Sequence, residues 1–142
     1  LKGTIMAALA SIAILDSASP AVSHTYVPVS SSNDLTVWRE NAAAGSLAGQ
    51  PSVKLTSKLN PTAAGMSRMR FTVDMPAESA LGTSDQGYKA IPKVDYTVRA
   101  TIDFILPNRS SAAQRKDLRA RVISLLGNAI VVDAIDNVAP PF

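Results

Sequence analysis

The chain has 142 residues, 46% of them hydrophobic and 18% charged, with no cysteine and a single histidine. That composition describes one soluble domain with a modest core, and it excludes disulfide staples, thiolate metal sites, cysteine nucleophiles and multi-histidine metal clusters. Fourteen Lys and Arg against eleven Asp and Glu leave a net charge of +3 and a pI near 9.5, which permits a polyanionic partner without requiring one.

Residues 3–15, GTIMAALASIAIL, follow Lys2 and precede DSASPA, and their size fits the apolar part of a secretory signal. The run is too short to span a bilayer, which takes about 20 apolar residues. A single Lys2, Asp16 near any cleavage point and a strand-compatible continuation at Ser23 to Ser30 favour a β-hairpin instead. Its arms are expected at Ile5 to Leu15 and Thr25 to Val29, with Asp16, Ser17, Ser19 and Pro20 in the turn. Next, Leu35-Thr36-Val37-Trp38 reads as a short strand, Trp38 being a core or interface anchor, and NAAAGSLAGQ over 41–50 is a small-residue connector.

Three segments then alternate with period two, the signature of a strand with one buried face. Val53 to Leu59 is the first, and a turn over Asn60 to Gly65 leads to the second, Arg68 to Met75, which Pro76 is expected to end. Residues 77–92, AESALGTSDQGYKAIP, read as a long flexible loop, a feature that is often functional in compact domains. The third segment, Thr97 to Phe104, carries Val98, Ala100, Ile102 and Phe104 on one side and Thr97, Arg99, Thr101 and Asp103 on the other.

With the apolar faces together, the opposite face displays Lys54, Lys58, Arg68, Arg70 and Arg99 among threonines, opposed only by Asp74 and Asp103. Any solvated sheet face carries lysines and arginines. Cations interleaved with hydroxyls also suit phosphate: charge gives salt-dependent affinity and hydroxyls add hydrogen bonds to phosphate or sugar. Phe71 and Phe104 fall on the apolar face, so there is no aromatic platform for stacking bases.

After a turn at Leu106 to Arg109, Ser110 or Ser111 is a natural N-cap for a helix over Ala112 to Leu126 that stops at Gly127-Asn128. Leu118, Val122, Leu125 and Leu126 recur at helical spacing, with Arg115, Lys116, Arg119 and Arg121 outside. A second helix is expected over Ala129 to Val138, with Asp133 and Asp136 exposed, before Pro140-Pro141. Strands first and helices last is an α+β order. Two short helices leave strand area uncovered, and a symmetric dimer in which each partner covers the other's sheet is the simplest remedy.

Enzyme chemistry finds no support. There is no Gly-rich phosphate loop, G-x-S-x-G or H-E-x-x-H, and His24 in Ser-His-Thr-Tyr has no evident nucleophile. No catalytic residue, metal, cofactor, small-molecule substrate or membrane partner is expected.

The segment from Tyr96 to Phe142, YTVRATIDFILPNRSSAAQRKDLRARVISLLGNAIVVDAIDNVAPPF, closely resembles the last strand and two C-terminal helices of the coat proteins of single-stranded RNA bacteriophages, the levivirus family, and its Qβ-like branch in particular. The ending IVVDAIDNVAPPF is the most specific part, and SVKLTSKLNPT followed by SRMRFTVDMP resembles the two central strands of the family. The match runs from about Trp38 to Phe142, while residues 1–37 resemble the family only in the order of elements. The resemblance implies an α+β coat-protein domain over the whole chain: an N-terminal hairpin, an antiparallel sheet and two C-terminal helices packed on a dimer partner.

It further implies a homodimer with a continuous sheet facing the interior of an icosahedral capsid, built in the bacterial host cytoplasm around single-stranded genomic RNA. Family members bind an RNA hairpin on that face, repressing translation and marking the genome for packaging. By pattern, the RNA-binding positions here are Lys54, Thr56, Lys58, Arg68, Arg70, Thr72, Thr97, Arg99 and Thr101. Residues 77–92 resemble the loop that changes conformation around the symmetry axes of the shell. The chain departs from relatives that join these loops by disulfides, having no cysteine, and it places Arg99 where close relatives carry an acidic or amide group for hairpin recognition. The alternatives are a small dimeric RNA-binding regulator that forms no shell, and a secreted or pilin-like subunit drawing on the N-terminal apolar run.

Overall fold

Alternating and helical segments of the sequence become six strands and two α-helices in a computed structural model that describes residues 9–40, 46–79, 87 and 93–141. The strands are β1 (Ile12–Leu15), β2 (Ser23–Ser31), β3 (Leu35–Glu40), β4 (Ser52–Lys58), β5 (Met66–Glu78) and β6 (Val94–Pro107). The helices are α1 (Ala112–Leu126) and α2 (Ala129–Asp136), and a 3-10 turn covers Leu47–Gly49. The chain divides into two compact units, one of Leu1–Leu59 with Ser67–Ile105 and one of Asn60–Met66 with Leu106–Phe142.

The first unit is a meander in which each strand lies beside its neighbours in sequence, in the order β1 to β6. The expected N-terminal hairpin is present as β1 against β2, with Ile14 opposite His24, but its first arm is shorter than the expected Ile5 to Leu15: β1 starts at Ile12, residues 9–11 are not strand, and residues 5–8 lie outside the described residues. Asp16 closes the hairpin turn by accepting the Ala18 and Val22 backbone N–H groups on one oxygen, at 3.0 and 2.8 Å. Side chains alternate across the pleat. One side of the sheet accordingly gathers Tyr26, Trp38, Val53, Leu55, Phe71 and Val73 in register. Tyr26 and Val53 are its buried apolar residues among those described, and Phe71 meets Phe104 edge to face at 6.2 Å. Trp38 anchors the same side and donates its indole N–H to the Ala10 carbonyl at 2.9 Å.

The end of β5 differs from expectation. Pro76 does not end its strand: β5 continues to Glu78, and the Ser79 N–H still donates to the Lys93 carbonyl at 2.9 Å. The last β4 partner on β5 is Asp74, opposite Ser52, so Pro76 stands beyond that ladder, where its missing N–H is not needed. Residues 77 and 78 of the expected 77–92 loop therefore belong to β5, and of that loop residues 80–86 and 88–92 lie outside the described residues. Glu78, at the end of β5, accepts the backbone N–H and hydroxyl of Ser46, which hold its carboxyl below the usual range and tie the 3-10 turn to the sheet.

In the second unit, β6 carries through Leu106 and Pro107, so the turn is confined to Asn108-Arg109. Asn108 fastens the entry of α1 to the 60–66 turn. Its side-chain amide donates to the Asn60 and Thr62 carbonyls at 2.7 and 2.6 Å, and its backbone N–H donates to the Gly65 carbonyl at 3.0 Å. A Cβ at residue 65 would come within 2.3 Å of the Asn60 side chain, which would have to move. Ser111 caps α1 in a capping box: its hydroxyl accepts the Gln114 N–H at 3.2 Å while the Gln114 side chain accepts the Ser111 N–H at 2.9 Å. Asn128 caps α2 by accepting the Ile130 N–H at 3.0 Å. That helix stops at Asp136, two residues short of the expected Val138, because Asn137 turns its side-chain amide back to Asp133 and Val138 adopts φ +51°. Left-handed backbone at a β-branched residue is strained, and Val138 is 85% exposed.

Candidate nucleic-acid interface

The second side of the sheet is built by register. Lys54 lies between Val37 and Thr72, Thr56 lies between Leu35 and Arg70, and Lys58 stands opposite Arg68. On β6 the same alternation places Thr97, Arg99, Thr101 and Asp103 on one side. Ion pairs show that it is this side, since Arg99 reaches Asp74 on β5, and Asp103 reaches Arg68 and Arg70. All nine positions singled out in the sequence thus share one face of the sheet. Thr56, Lys58, Arg68 and Arg70 also line one shallow hollow of about 40 Å³.

Sequence reasoning missed a sixth cation, Arg39, on the same face. It stands between Val27 and Ser52 in register, and its Nε is buried with no hydrogen-bond partner. The strand was expected to stop at Trp38, whereas the alternation Leu35, Val37, Arg39 carries it two residues further. Leu35, Val37 and Val27 make the β2–β3 end of this face more apolar than the β4–β6 end.

Two carboxylates organise the cations. Asp74 is 6% exposed and accepts Arg99 Nε at 2.5 Å, with the Lys54 ammonium 3.7 Å away. The Asp74 hydrogen bond and charge raise the Arg99 guanidinium further above its ordinary value. Asp103 accepts Arg70 at 3.0 Å and stands 3.6 Å from Arg68 Nε. Lys58 has no carboxylate within ion-pair distance among the described residues. Six cations outnumber four carboxylates, since the same alternation places Glu78 and Asp95 on this face beside Asp74 and Asp103, and the pairs fix the Arg68, Arg70 and Arg99 guanidinium groups in place.

The histidine belongs to the opposite, apolar side. His24 Nε2 meets Asp16 Oδ2 at 3.0 Å, and its Nδ1 bonds the Glu40 carboxylate. Asp16 raises its pKa most, followed by Glu40, while the His24 bond and two backbone N–H groups lower Asp16 to about 2. Asp16 follows the end of β1 while His24 and Glu40 lie on the adjacent strands β2 and β3, so strand pairing brings the three together and no spacing in the sequence announces them. The arrangement is an ionic clasp between the hairpin and β3, with no nucleophile at hydrogen-bond distance from the ring among the described residues. No group of three or more His, Asp or Glu side chains among the described residues is placed to hold a metal ion, and no helix there is long and apolar enough to cross a membrane.

Comparison with known proteins places this geometry. The family described as Levivirus coat protein matches residues 7–142. No curated protein matches the chain. Among solved structures, the virus-like particle of bacteriophage ESE058 is similar at a TM-score of 0.86 and 24% identity, covering 96% of this chain and 100% of the other. The virus-like particle of Beihai levi-like virus 21 follows at 0.78 and 15%, covering 96% and 99%. The bacteriophage GA protein capsid is similar at 0.73 and 21%, covering 96% and 98%. The six-stranded sheet with two C-terminal helices is the fold of these coat proteins.

Proposed function

The chain belongs to the levivirus coat protein family, a structural protein of the virion capsid, and from that premise we propose that it acts as one coat-protein domain that dimerises, assembles into an icosahedral shell and holds single-stranded RNA against the basic sheet face. The observation that carries the RNA assignment is the convergence of Arg39, Lys54, Lys58, Arg68, Arg70 and Arg99 on one face, with Thr56 and Thr72 between them. Cations supply affinity through counterion release, and the threonine hydroxyls offer hydrogen bonds that position the backbone. Binding of one preferred hairpin, a translational operator, is the finer part of the proposal. Arg99 then contributes charge where an acid or amide would discriminate.

Support for the dimer comes from the surface of the single chain. β6 is an edge strand 14 residues long with Tyr96 and Val98 exposed, the kind of edge that pairs with another strand. Ile123, Leu125, Ile130 and Ile135 on the helices are exposed as well. Apolar area on this scale marks an interaction surface. A second copy pairing edge to edge would extend the sheet and bury exposed apolar side chains of both copies.

Negative-stain electron microscopy of purified protein, with the 260/280 nm absorbance ratio read on the same fraction, tests the proposal. Uniform shells with a nucleic-acid ratio are expected. Shells with a protein-only ratio would remove the RNA assignment, and dimers without particles across salt and concentration would favour a regulator that forms no shell.

A further inference from the structure

The basic face does not present its cations freely, because two carboxylates embedded in it hold four of the six. Asp74 takes Arg99 and Lys54, and Asp103 takes Arg68 and Arg70. We propose that Asp74 and Asp103 are affinity-setting residues of the RNA face, internal counterions that compete with phosphate and hold down indiscriminate binding of unstructured RNA. The proposal rests on the RNA assignment above and deepens it.

A phosphate that approaches Arg68 and Arg70 meets cations already engaged. It must either displace Asp103, leaving that carboxylate beside a new anion, or share the guanidinium groups with it. Both routes cost part of the attraction. Specificity is a difference of affinities, and a device that lowers the affinity of every polyanion raises the share contributed by fixed, well-placed contacts. The two carboxylates differ in exposure: Asp74 is 8% exposed at its side chain and Asp103 is 28% exposed, while the guanidinium groups of Arg68 and Arg70 lie on side chains 48% and 47% exposed. Asp103 is therefore the more displaceable of the two, and the hollow lined by Thr56, Lys58, Arg68 and Arg70 is where displacement acts first.

The test uses the full chain and a fluorescent 20-nucleotide oligouridine, with binding measured from about 50 to 300 mM salt, a range over which phosphate binding is strongly attenuated. Asp103→Asn is expected to bind about 3- to 10-fold tighter than the wild type, with a salt slope steeper by about 0.7 for each additional phosphate that the freed guanidinium groups neutralise. Asp103→Glu, which keeps the negative charge, is expected to restore wild-type binding. Asp117→Asn, which makes the same charge change at the Arg121 pair on α1, is expected to leave binding unchanged. Asp74→Asn is the secondary variant because it disturbs a buried group, and the more exposed Asp103 keeps the test intact if Asp74→Asn does not fold. Wild-type binding with Asp103→Asn no tighter, or with Asp117→Asn equally tightened, would overturn the proposal. Absence of any salt-dependent binding by the wild type would instead overturn the RNA assignment, and this inference with it.

Discussion

Neutralising and then reversing two cations on the sheet face gives the most direct measure of what that face does. Lys58 and Arg70 are suited to it because both line the hollow beside Thr56, and Arg68 remains to hold Asp103 when Arg70 is replaced. Each phosphate neutralised on a single strand contributes about 0.7 to the slope of log K against log salt, which at 0.15 M is about 0.6 of a decade. Lys58→Gln with Arg70→Gln should therefore weaken RNA binding about 10- to 15-fold and flatten the slope by about 1.4. Lys58→Glu with Arg70→Glu adds repulsion of similar size and should reach about 200-fold. The fold should survive, since the Arg70–Asp103 pair is on the surface and such pairs contribute at most about 1 kcal/mol. The assay is a salt titration with a 20-nucleotide RNA, paired with the RNA content of assembled shells. Shells that form with wild-type RNA content and an unchanged slope would refute the assignment of this face.

Three further outcomes are expected. The His24 clasp makes stability depend on pH at both ends: the raised histidine contributes fully below its ordinary value of 6.5 and its contribution fades as pH rises through the raised value, while Asp16 contributes above about 4 and loses its share as pH falls through about 2. The melting temperature should accordingly decline from pH 6 to pH 9 in the wild type, and His24→Gln should flatten that decline; an unchanged slope in the variant would remove the clasp. Ser111→Ala deletes half of the capping box on α1 and should cost about 1 kcal/mol in denaturant titration. Asn108→Ala removes two hydrogen bonds to the 60–66 turn, a loss of about 1–2 kcal/mol by the same measurement, and a value near zero would mean that water replaces both.

Local signals in the sequence carried most of the fold. Alternation located β4, β5 and β6, and Ser111 with Gly127 bounded α1 at the observed residues, because period and capping chemistry act within a few positions. The misplaced ends arose where a local rule met tertiary context. Proline ends a strand only where its N–H is required, and Pro76 stands past the β4 ladder. The end of α2 depended on Asn137 folding back to Asp133, which residue type alone does not announce. The basic face was legible as a pattern of cations, but Arg39 was not, because the strand that carries it was read two residues too short. The pairing of Asp74 and Asp103 with particular cations, and the meeting of Asp16, His24 and Glu40, follow from which strands lie side by side. That information resides in register, not in spacing.

The clip between Asn108 and the 60–66 turn bears on any effort to use the protein as a scaffold for foreign peptides. The turn looks like a convenient splice point, since it joins two strands and its residues 61–64 are exposed. Lengthening it would pull the Asn60 and Thr62 carbonyls away from a side chain 48 and 46 residues further along, and the lesion would surface at the start of α1. An insert there should be judged by the integrity of the helical segment, and a sheet that looks intact by its own spectroscopic signature would conceal the damage.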